Sequence, residues 1–481
     1  MRRITNILSN NWLLITTILV GIFLRFYKLN GFTTFLGDQG RDAIILKRML
    51  TLEHFPAIGA PTSIGQVYLG PFYYYFIAPW LLFFNFNPIG PVVGVALFSS
   101  LYLLINYLIV KELINNKTAL VSTIFLSFSF VLIELSRFSW NPNLLPLFTL
   151  LTIYFVIKSV QTKRRYFFAL TGAFLSFSIQ LHYLALFLIP GILLIYLSDF
   201  LKSKKRILYI KYLILNSLSF LLFSFPLIIF DLRHQFLNSK NFIQLFQQSG
   251  TNLTTKFASL FETFKSLNLY SFNITLNNAF LYLLFSLLII AYFTLYKEKL
   301  HTKTLLLFFL LTIFFMSFYS GQKHPHYFGV LYPLYFVIVA YFLTFSVDSI
   351  FGKIILFLFI FGYIFLNYQK FPYFFYPANK QIQLSEKVAR QIKDNINAKK
   401  FTVTALPEKY SDSTYRYFLE LWGKRPIEKD SLDKADELFL VCEKKCDPII
   451  GNPQWDIAYF APNKIDNEWT IDGVKIYKLV R

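Results

Sequence analysis

Two carboxylates and a guanidinium stand close together early in the chain, in the sequence GDQGRDA at 37–43. If this stretch is helical, Asp38, Arg41 and Asp42 share one face, because residues three and four apart are neighbours on a helix. A carboxylate beside a guanidinium stays ionised, which suits a general base or a group that orients a cation. The other interpretation is an interfacial helix held by a local ion pair. Spacing alone slightly favours that second interpretation.

A second group of polar residues lies in the sequence ELSRFSWNPN at 134–143, between two apolar runs. Glu134 and Arg137 stand at the edge of an apolar segment, where ionisable groups are costly and often functional. Asn141 follows directly in the same short connection. The alternative is that Arg137 snorkels at a helix end, as arginine commonly does.

Histidines and cations recur at three further connections between apolar runs. Together they fit an anionic headgroup such as phosphate, which guanidinium, ammonium and imidazolium groups bind well. Contacts with ordinary anionic lipids are the alternative. The residues are His182, Tyr183, Arg233, His234, Lys323, His324, His326 and Tyr327.

Both cysteines of the chain, Cys442 and Cys446, lie near its end and are four positions apart. Two cysteines do not complete a zinc site. If this part of the chain is exported, a short-loop disulfide is the better prediction than a metal or redox site. We assign no metal ligands and no cofactor, and a requirement for a divalent metal stays open.

Composition decides what kind of structure must position these groups. Apolar residues make up 55% of the 481 residues, aromatic residues 20% and charged residues only 15%. Soluble globular chains carry about 25% charged residues. The chain is therefore predicted to be an all-α polytopic membrane protein over most of its length.

Eleven apolar segments are long enough to be transmembrane helices, for which about 20 apolar residues are needed. They are 12–27, 91–110, 119–134, 144–160, 166–181, 184–199, 208–230, 279–296, 304–320, 327–346 and 352–369. Segment 71–86 is also apolar. However, the connections that carry the basic clusters all fall on the cytoplasmic side only if this segment does not cross the membrane. We therefore predict an interfacial or re-entrant helix there, anchored by aromatic side chains at headgroup level.

The formal net charge of +21 comes from Lys and Arg in short clusters between the apolar runs. This is the positive-inside pattern of cytoplasmic loops, and no basic stripe suggests a nucleic-acid partner. The pattern predicts a multi-pass protein of the cytoplasmic membrane, with its N-terminus inside and its C-terminal part outside. The first segment is followed by Arg25 to Lys28 in place of small residues, so it is predicted to be a retained span and not a cleaved signal.

Two domains follow from the change in character past residue 370. Residues 1–370 form the membrane domain, with long outer loops at 30–90 and 231–278. Residues 371–481 form a small extracytoplasmic α/β domain. Within it the pattern predicts helices at 380–395 and 411–422 and strands at 401–406, 438–442 and 474–479.

Taken in order, several motifs resemble those of the C-type, lipid-phosphosugar-dependent glycosyltransferases. That group includes the protein O-mannosyltransferases of glycosyltransferase family 39 and the bacterial aminoarabinose transferases that act on lipid A. GDQGRDA resembles their Asp-Glu-x-Arg-Tyr-Ala motif. The other matching segments are 71–75 (their interfacial helix), 172–182 (a Gly-rich span that ends in a Lys at the donor phosphate) and 323–333 (Lys-x-x-Tyr-x-x-x-x-x-Pro). The resemblance covers 1–370 well and the rest thinly.

The resemblance implies that Asp38 is the catalytic acid residue of the first outer loop and Arg41 its accompanying arginine. Two neighbouring positions depart from the family pattern. Gln39 stands where the family has Glu, and Asp42 stands where it has Tyr.

Further departures lie in the later motifs. Asn141 and Pro142 replace the family's Asp-Pro, so a second catalytic carboxylate would be Glu134 or absent. His182 replaces the lysine that meets the donor phosphate, and Tyr74 lies in the segment that resembles the interfacial helix. These changes leave the substrate and the use of a metal open.

The resemblance implies an inverting transferase that moves a hexosyl or pentosyl group from a polyprenyl-phosphate carrier to an acceptor on the outer face, with Asp38 as general base. The expected partners are this lipid-linked donor, an acceptor of unknown kind (protein, lipid or glycan) and membrane lipids. A flippase or transporter of lipid-linked sugars is the alternative. Such a protein more often has inverted repeats and broken midplane helices, and the sequence has neither.

Overall fold

The structure, a computed structural model, describes residues 2–62, 67–247, 253–294, 300–319, 321–407, 412–429, 431–444, 446 and 448–481. Helices dominate as far as residue 375. They are α1 (Arg2–Phe26), α2 (Leu29–Phe32), α3 (Gly37–Leu50), α4 (Phe72–Phe83), α5 (Ile89–Leu113), α6 (Asn116–Phe128), α7 (Phe130–Leu135), α8 (Leu145–Thr162), α9 (Arg165–Leu181), α10 (Ile189–Lys202), α11 (Arg206–Arg233), α12 (Leu237–Gln247), α13 (Leu253–Phe272), α14 (Asn278–Thr294), α15 (Leu300–Met316), α16 (Tyr332–Phe345), α17 (Ile350–Tyr368) and α18 (Pro372–Phe375).

In the part of the chain that the structure describes, each of the eleven predicted spans falls mainly on helical structure, and α4 occupies the segment predicted to be interfacial. Positions 295, 296 and 320 of these spans lie outside the described residues. Five helical segments of the described residues are long and apolar enough to cross a membrane, and five more are shorter apolar helices. The number of spans and their placement in a membrane stay predictions.

Three of the spans begin with a 3₁₀ turn, and one is broken. The turns are Asn141–Leu144, Tyr183–Leu188 and Pro325–Val330. Segment 119–134 is divided into α6 and α7 by Ser129, which has an extended backbone and caps α7 by accepting a hydrogen bond from the Leu132 N–H. Serine commonly begins a helix in this way.

The helices pack closely only on their inner sides. Helix α11 exposes large apolar side chains along most of its length, as a lipid-facing helix does. Its contact with α9 is very close at Gly172, because a Cβ atom there would lie 2.0 Å from the Asn216 carbonyl oxygen. A small residue at a helix crossing is what such close approach requires.

The last hundred residues form a small α/β unit. Its elements are α19 (Gln381–Asp394), β1 (Phe401–Leu406), α20 (Ser413–Leu421), β2 (Glu437–Cys442), α21 (Trp455–Phe460), β3 (Lys464–Ile471) and β4 (Val474–Val480). The sheet order is β1-β2-β4-β3, with β1 and β2 parallel and the other pairs antiparallel. Helix α20 therefore makes the crossover that a parallel pair needs.

The sequence predicted α19, α20 and three of these strands close to their observed bounds, but it missed β3 and α21. Strand β3 is exposed along nearly its whole length, and its pairing with β4 shifts register between Ile465 and Asn467, where its apolar alternation is interrupted. Cys442 and Cys446 form a disulfide just after β2.

Candidate functional site

Asp38 stands in the first turn of α3, at the entrance to the candidate site. The Leu36 N–H donates a hydrogen bond to Gln39 Oε1 (3.1 Å) and so caps the helix start. The position where the family has Glu is thus used here for capping. A helix N-terminus favours an ionised carboxylate, and the side chain of Asp38 is 51% exposed. Asp38 is therefore accessible to solvent and stands where a helix stabilises negative charge.

Arg41 joins the two carboxylates of α3. Its Nη1 donates to Asp38 Oδ1 (2.8 Å), while Nη2 (2.8 Å) and Nε (3.0 Å) both donate to Asp42 Oδ1. Burial acts to lower the pKa of Arg41, but the nearby carboxylates, Asp42 first, raise it well above its usual range. The guanidinium is therefore permanently charged and fixed in orientation.

Asp42 is the buried member of this group, with only 1% of its surface exposed. Burial raises the pKa of its carboxyl, although Arg41 and the Tyr74 hydroxyl act in the opposite direction. Its Oδ2 atom has no hydrogen-bond partner among the residues described. Buried carboxylate oxygens usually have hydrogen-bond partners, so the unpaired Oδ2 makes Asp42 costly to bury. Its raised pKa means that Asp42 is protonated more easily than an exposed aspartate.

Helix α4 connects α3 to the other walls of the site through four consecutive residues. Successive residues of a helix point about 100° apart, so one turn can reach several neighbours. The four bonds are Phe72 N–H to Gln180 Oε1 (3.2 Å), Tyr73 OH with Ser139 Oγ (2.6 Å), Tyr74 OH to Asp42 Oδ1 (2.9 Å) and Tyr75 OH to the Pro56 carbonyl (2.9 Å). The first outer loop, the 134–143 connection and the end of α9 are thereby held together.

The 134–143 connection contains an unusual number of unpaired polar atoms. Asn141 is 1% exposed, yet neither its Oδ1 nor its Nδ2 has a hydrogen-bond partner among the described residues. The same is true of Glu134 Oε1 and Asn143 Oδ1. Buried polar side chains are paired in the large majority of cases. These atoms are the groups of this connection best suited to receive polar groups of a substrate.

Arg137 has a different role from its neighbours. Its guanidinium donates to the carbonyl oxygens of Leu24 (2.9 Å), Arg25 (3.1 Å) and Tyr27 (2.9 Å) and lies 4.0 Å from the Tyr373 ring centroid. These carbonyls are the ones that the end of α1 leaves unpaired. The structure thus uses the Arg137 guanidinium to cap α1.

Three histidines from two separate turns meet beside the 134–143 connection, and we call His182, His324 and His326 the histidine cluster. The His326 ring lies 5.8 Å from each of the other two, and 4.4 Å from the Trp140 ring, between centroids. Tyr327 packs against all three rings. The cluster therefore joins three elements that are far apart in sequence.

Two members of the histidine cluster, His182 and His326, are neutral near pH 7. Burial lowers the pKa of His182 to about 4, and burial together with the other two histidines lowers that of His326 to about 3. His182 Nδ1 accepts from the Leu184 N–H (3.2 Å), so a neutral His182 carries its proton on Nε2. Burial also lowers the pKa of Lys323, whose ammonium donates to the Tyr319 carbonyl (2.8 Å).

The remaining predicted residues lie apart from the cluster or are engaged in holding loops. Tyr183 donates to the Tyr68 carbonyl and accepts from Asn238 Nδ2 (3.0 Å), which ties the loops at 30–90 and 231–278 together. Arg233 and His234 are exposed, and the His234 ring stacks on Phe230 with centroids 4.1 Å apart. Within the described ranges, no ring contact joins His234 to the histidine cluster.

Sequence reasoning missed three residues that hold the site together: Ser139, Trp140 and Gln180. Gly70 and Gln180 are in very close contact, since a Cβ atom on Gly70 would lie 2.2 Å from Gln180 Cγ. This contact is apparent only in the three-dimensional structure and not in the sequence. Over the part of the chain that the structure describes, no group of three or more His, Cys, Asp or Glu side chains is arranged to hold a metal ion.

Comparison with known proteins places this geometry in context. The profile of a family described as "Dolichyl-phosphate-mannose-protein mannosyltransferase" matches residues 69–230. This stretch includes α4, the 134–143 connection and His182, and it is less than half of the chain. A search of curated protein sequences finds none that matches.

Solved structures match over nearly the whole chain at low sequence identity. ArnT from Cupriavidus metallidurans, bound to undecaprenyl phosphate, has a TM-score of 0.63 and 12% identity, and the match covers 97% of this chain and 98% of that one. Its apo state gives a TM-score of 0.64. The archaeal oligosaccharyltransferase AglB from Archaeoglobus fulgidus, in complex with an inhibitory peptide and a dolichol-phosphate, has a TM-score of 0.53 and 10% identity, with coverage of 88% and 65%.

Proposed function

Because the chain has the fold of the C-type glycosyltransferases, we propose that it transfers a sugar from a polyprenyl-phosphate carrier to an acceptor on the outer face of the cytoplasmic membrane. The observation that carries the proposal is Asp38, a half-exposed carboxylate held by Arg41, which is itself fixed by buried Asp42. A general base must be reachable, ionised and fixed in position. Asp38 meets these requirements, whereas Asp42 is buried and already bonded.

The reaction needs one proton transfer and one leaving group. The acceptor hydroxyl oxygen attacks the anomeric carbon, and its proton passes to the Asp38 carboxylate. The bond between that carbon and the phosphate oxygen breaks, and its electron pair leaves with the lipid phosphate. Attack and departure on opposite sides invert the anomeric configuration. Nothing is oxidised or reduced, and the products are the glycoside and the polyprenyl phosphate.

The phosphate leaving group needs stabilisation of negative charge more than it needs a proton. We assign this role to the histidine cluster and Lys323. A neutral His182 can donate through Nε2, and a phosphate beside an imidazole raises the pKa of the ring. Donor binding should therefore be accompanied by proton uptake. The solved relatives support a lipid-phosphate donor, since their structures contain undecaprenyl phosphate or a dolichol-phosphate.

The 134–143 connection is the best candidate for contact with the transferred sugar. Asn141 provides an unpaired amide and Glu134 an unpaired carboxylate oxygen. Trp140 packs on His326, so this connection adjoins the proposed phosphate site. A flippase of lipid-linked sugars, the alternative from the sequence, gains no support from the comparisons.

The direct test is a transfer assay with purified protein and a panel of polyprenyl-phosphate hexoses and pentoses. The release of polyprenyl phosphate and the appearance of a glycosylated acceptor from a membrane extract are measured together. We expect one donor to be consumed with an inverted product. Translocation of the donor across proteoliposomes without release of polyprenyl phosphate would contradict the proposal and favour the flippase.

A further inference from the structure

The helix that carries Asp38 is packed in its first turn against the C-terminal α/β domain. A Cβ atom on Gly40 would lie 2.5 Å from the Thr414 backbone nitrogen and 2.6 Å from the Ser413 carbonyl carbon. Backbone atoms cannot move aside as a flexible side chain can. The backbone of α3 is therefore in direct contact with the start of α20, two residues away from Asp38.

A second contact lies about two turns further along both helices. Arg48 Nε donates to Glu420 Oε1 (2.9 Å) and Nη2 donates to Oε2 (2.7 Å). This is the bidentate arrangement that fixes both distance and orientation. The Glu420 side chain is 5% exposed and that of Arg48 22%, so the pair is screened less than a surface ion pair.

A third contact holds the entrance to α3. The Phe35 N–H donates to Gln381 Oε1 (2.7 Å) at the start of α19. The Phe35 ring also packs edge-on against Tyr417 and Phe418 of α20, with centroids 6.4 and 6.1 Å away. The C-terminal domain thus contacts α3 before its start, in its first turn and near its end. Contacts spaced in this way fix both the position of a helix and its rotation about its own axis.

From these contacts we infer that the C-terminal domain is a positioning device for Asp38, and that Arg48 and Glu420 are positioning residues of the transfer reaction. The inference rests on the proposed function and extends it. Rotation of α3 would turn Asp38 away from the acceptor hydroxyl, whereas the histidine cluster lies on other elements. Loosening the contact should therefore lower kcat and leave the donor KM unchanged.

The test uses Glu420→Gln, which keeps the size of the side chain but removes its charge, together with Arg48→Met. A displacement of about 1 Å in a catalytic group can cost about 10²-fold in rate, so we expect kcat to fall about 10- to 100-fold. Arg48 also pairs with Glu428, and Glu420 also pairs with Lys47, so each single variant loses more than their shared bond. The double variant should therefore be worse than either single one but less impaired than the sum of the two, because the shared bond is lost only once. Lys387→Met is the matched control, since it breaks a 2.7 Å pair with Asp472 in the same domain, away from α3.

Hydrogen exchange of the α3 backbone amides provides a readout that does not depend on activity. We expect faster exchange between Gly40 and Leu46 in Glu420→Gln and no change in Lys387→Met. Unchanged exchange, or a kcat equal to that of the wild type, would overturn the inference. A loss of kcat with an equal rise in donor KM would also overturn it, as general damage to the fold. An inactive wild type would instead refute the proposed function, and the exchange data would still decide the positioning role.

Discussion

Arg41 donates hydrogen bonds to Asp38 Oδ1 at 2.8 Å and, through two nitrogens, to the single Oδ1 atom of Asp42. The Arg41 guanidinium therefore fixes the exposed carboxylate of Asp38 relative to the buried carboxylate of Asp42. Because Asp42 is held in turn by Tyr74 of α4, the orientation of Asp38 depends on a chain of three bonds that begins on another helix. Substitution of each of these residues should therefore have a different, measurable effect.

Replacement of Asp38 by asparagine should abolish most of the transfer while leaving the fold intact. Asparagine keeps the size and polarity of the side chain but cannot accept the proton, and general-base losses are about 10²- to 10⁴-fold in rate. Donor affinity should be unchanged because the phosphate contacts belong to other residues. Asp348→Asn is the control, since it removes another exposed ion-paired carboxylate, one paired with Lys117. Wild-type turnover of Asp38→Asn would eliminate Asp38 as the base.

Tyr74→Phe should change the pH dependence of turnover. The lost hydrogen bond lowers the pKa of Asp42 in the wild type, so its loss raises that pKa further. Asp42 must be ionised to hold Arg41, and activity is lost as the pH falls through its pKa. Since a hydrogen bond to a charged group contributes about 1.5–3 kcal/mol, the acid limb should move up by about one to two pH units. Tyr75→Phe, which loses only a bond to the Pro56 carbonyl, should leave the limb in place.

His182→Ala should weaken donor binding more than it slows the chemical step. Loss of a hydrogen bond to a charged phosphate should raise the donor KM about 10- to 100-fold. The free ring has a pKa of about 4, and a bound phosphate raises it. Wild-type donor affinity should therefore increase as the pH falls from 7 toward 5, with a smaller slope in His182→Ala. Exposed His234 is the matched position, and His234→Ala should preserve both the affinity and the slope.

Arg137→Ala should act on stability and not on substrate. The substitution leaves the carbonyl oxygens at the end of α1 without their donor and should lower the melting temperature of the purified protein in detergent. Hydrogen bonds to charged groups contribute about 1.5–3 kcal/mol each, so the loss should be easily measured. Arg233→Ala removes an exposed guanidinium and should have little effect. If the donor KM rises while the melting temperature is unchanged, Arg137 contacts the substrate, and its role as a cap of α1 is contradicted.

Topology is tested by reporter fusions. The positive-inside pattern predicts that residues 163 and 204 lie in the cytoplasm and residues 60, 250 and 420 outside. Residue 250 lies outside the residues that the structure describes. Outer placement of residue 420 is required for Glu420 to contact α3 on the same side as Asp38. A cytoplasmic signal at residue 420 would contradict the span count and the assignment of the outer face together.

The fold and the grouping of Asp38, Arg41 and Asp42 could be predicted from the sequence, because both depend on local spacing. Apolar segment length gave the helices, and the i, i+3, i+4 spacing brought Asp38, Arg41 and Asp42 together. The resemblance to the C-type glycosyltransferases is confirmed by the whole-chain structural match. The sequence did not predict the break at Ser129, because the apolar run on both sides of it is otherwise continuous. The Ser129 side chain begins α7 there by capping it.

The tertiary partners could not be predicted, because they join residues far apart in sequence. Neither Tyr74 nor Gly40 has a local pattern that points to Asp42 or to α20. The second outer connection was similarly ambiguous: sequence alone treated Arg137 and Asn141 alike. The structure gives Arg137 three carbonyl partners, whereas Asn141 has none among the described residues.

The contact between Arg48 and Glu420 also has a consequence for biogenesis, since the two residues are 372 positions apart. The ribosome makes α3, the helix that carries Asp38, long before its packing partner α20. A nascent chain therefore acquires the contact that fixes α3 only after α20 has been synthesised and folded. Under the proposed function, this order would keep a partly assembled chain from consuming lipid-linked sugar.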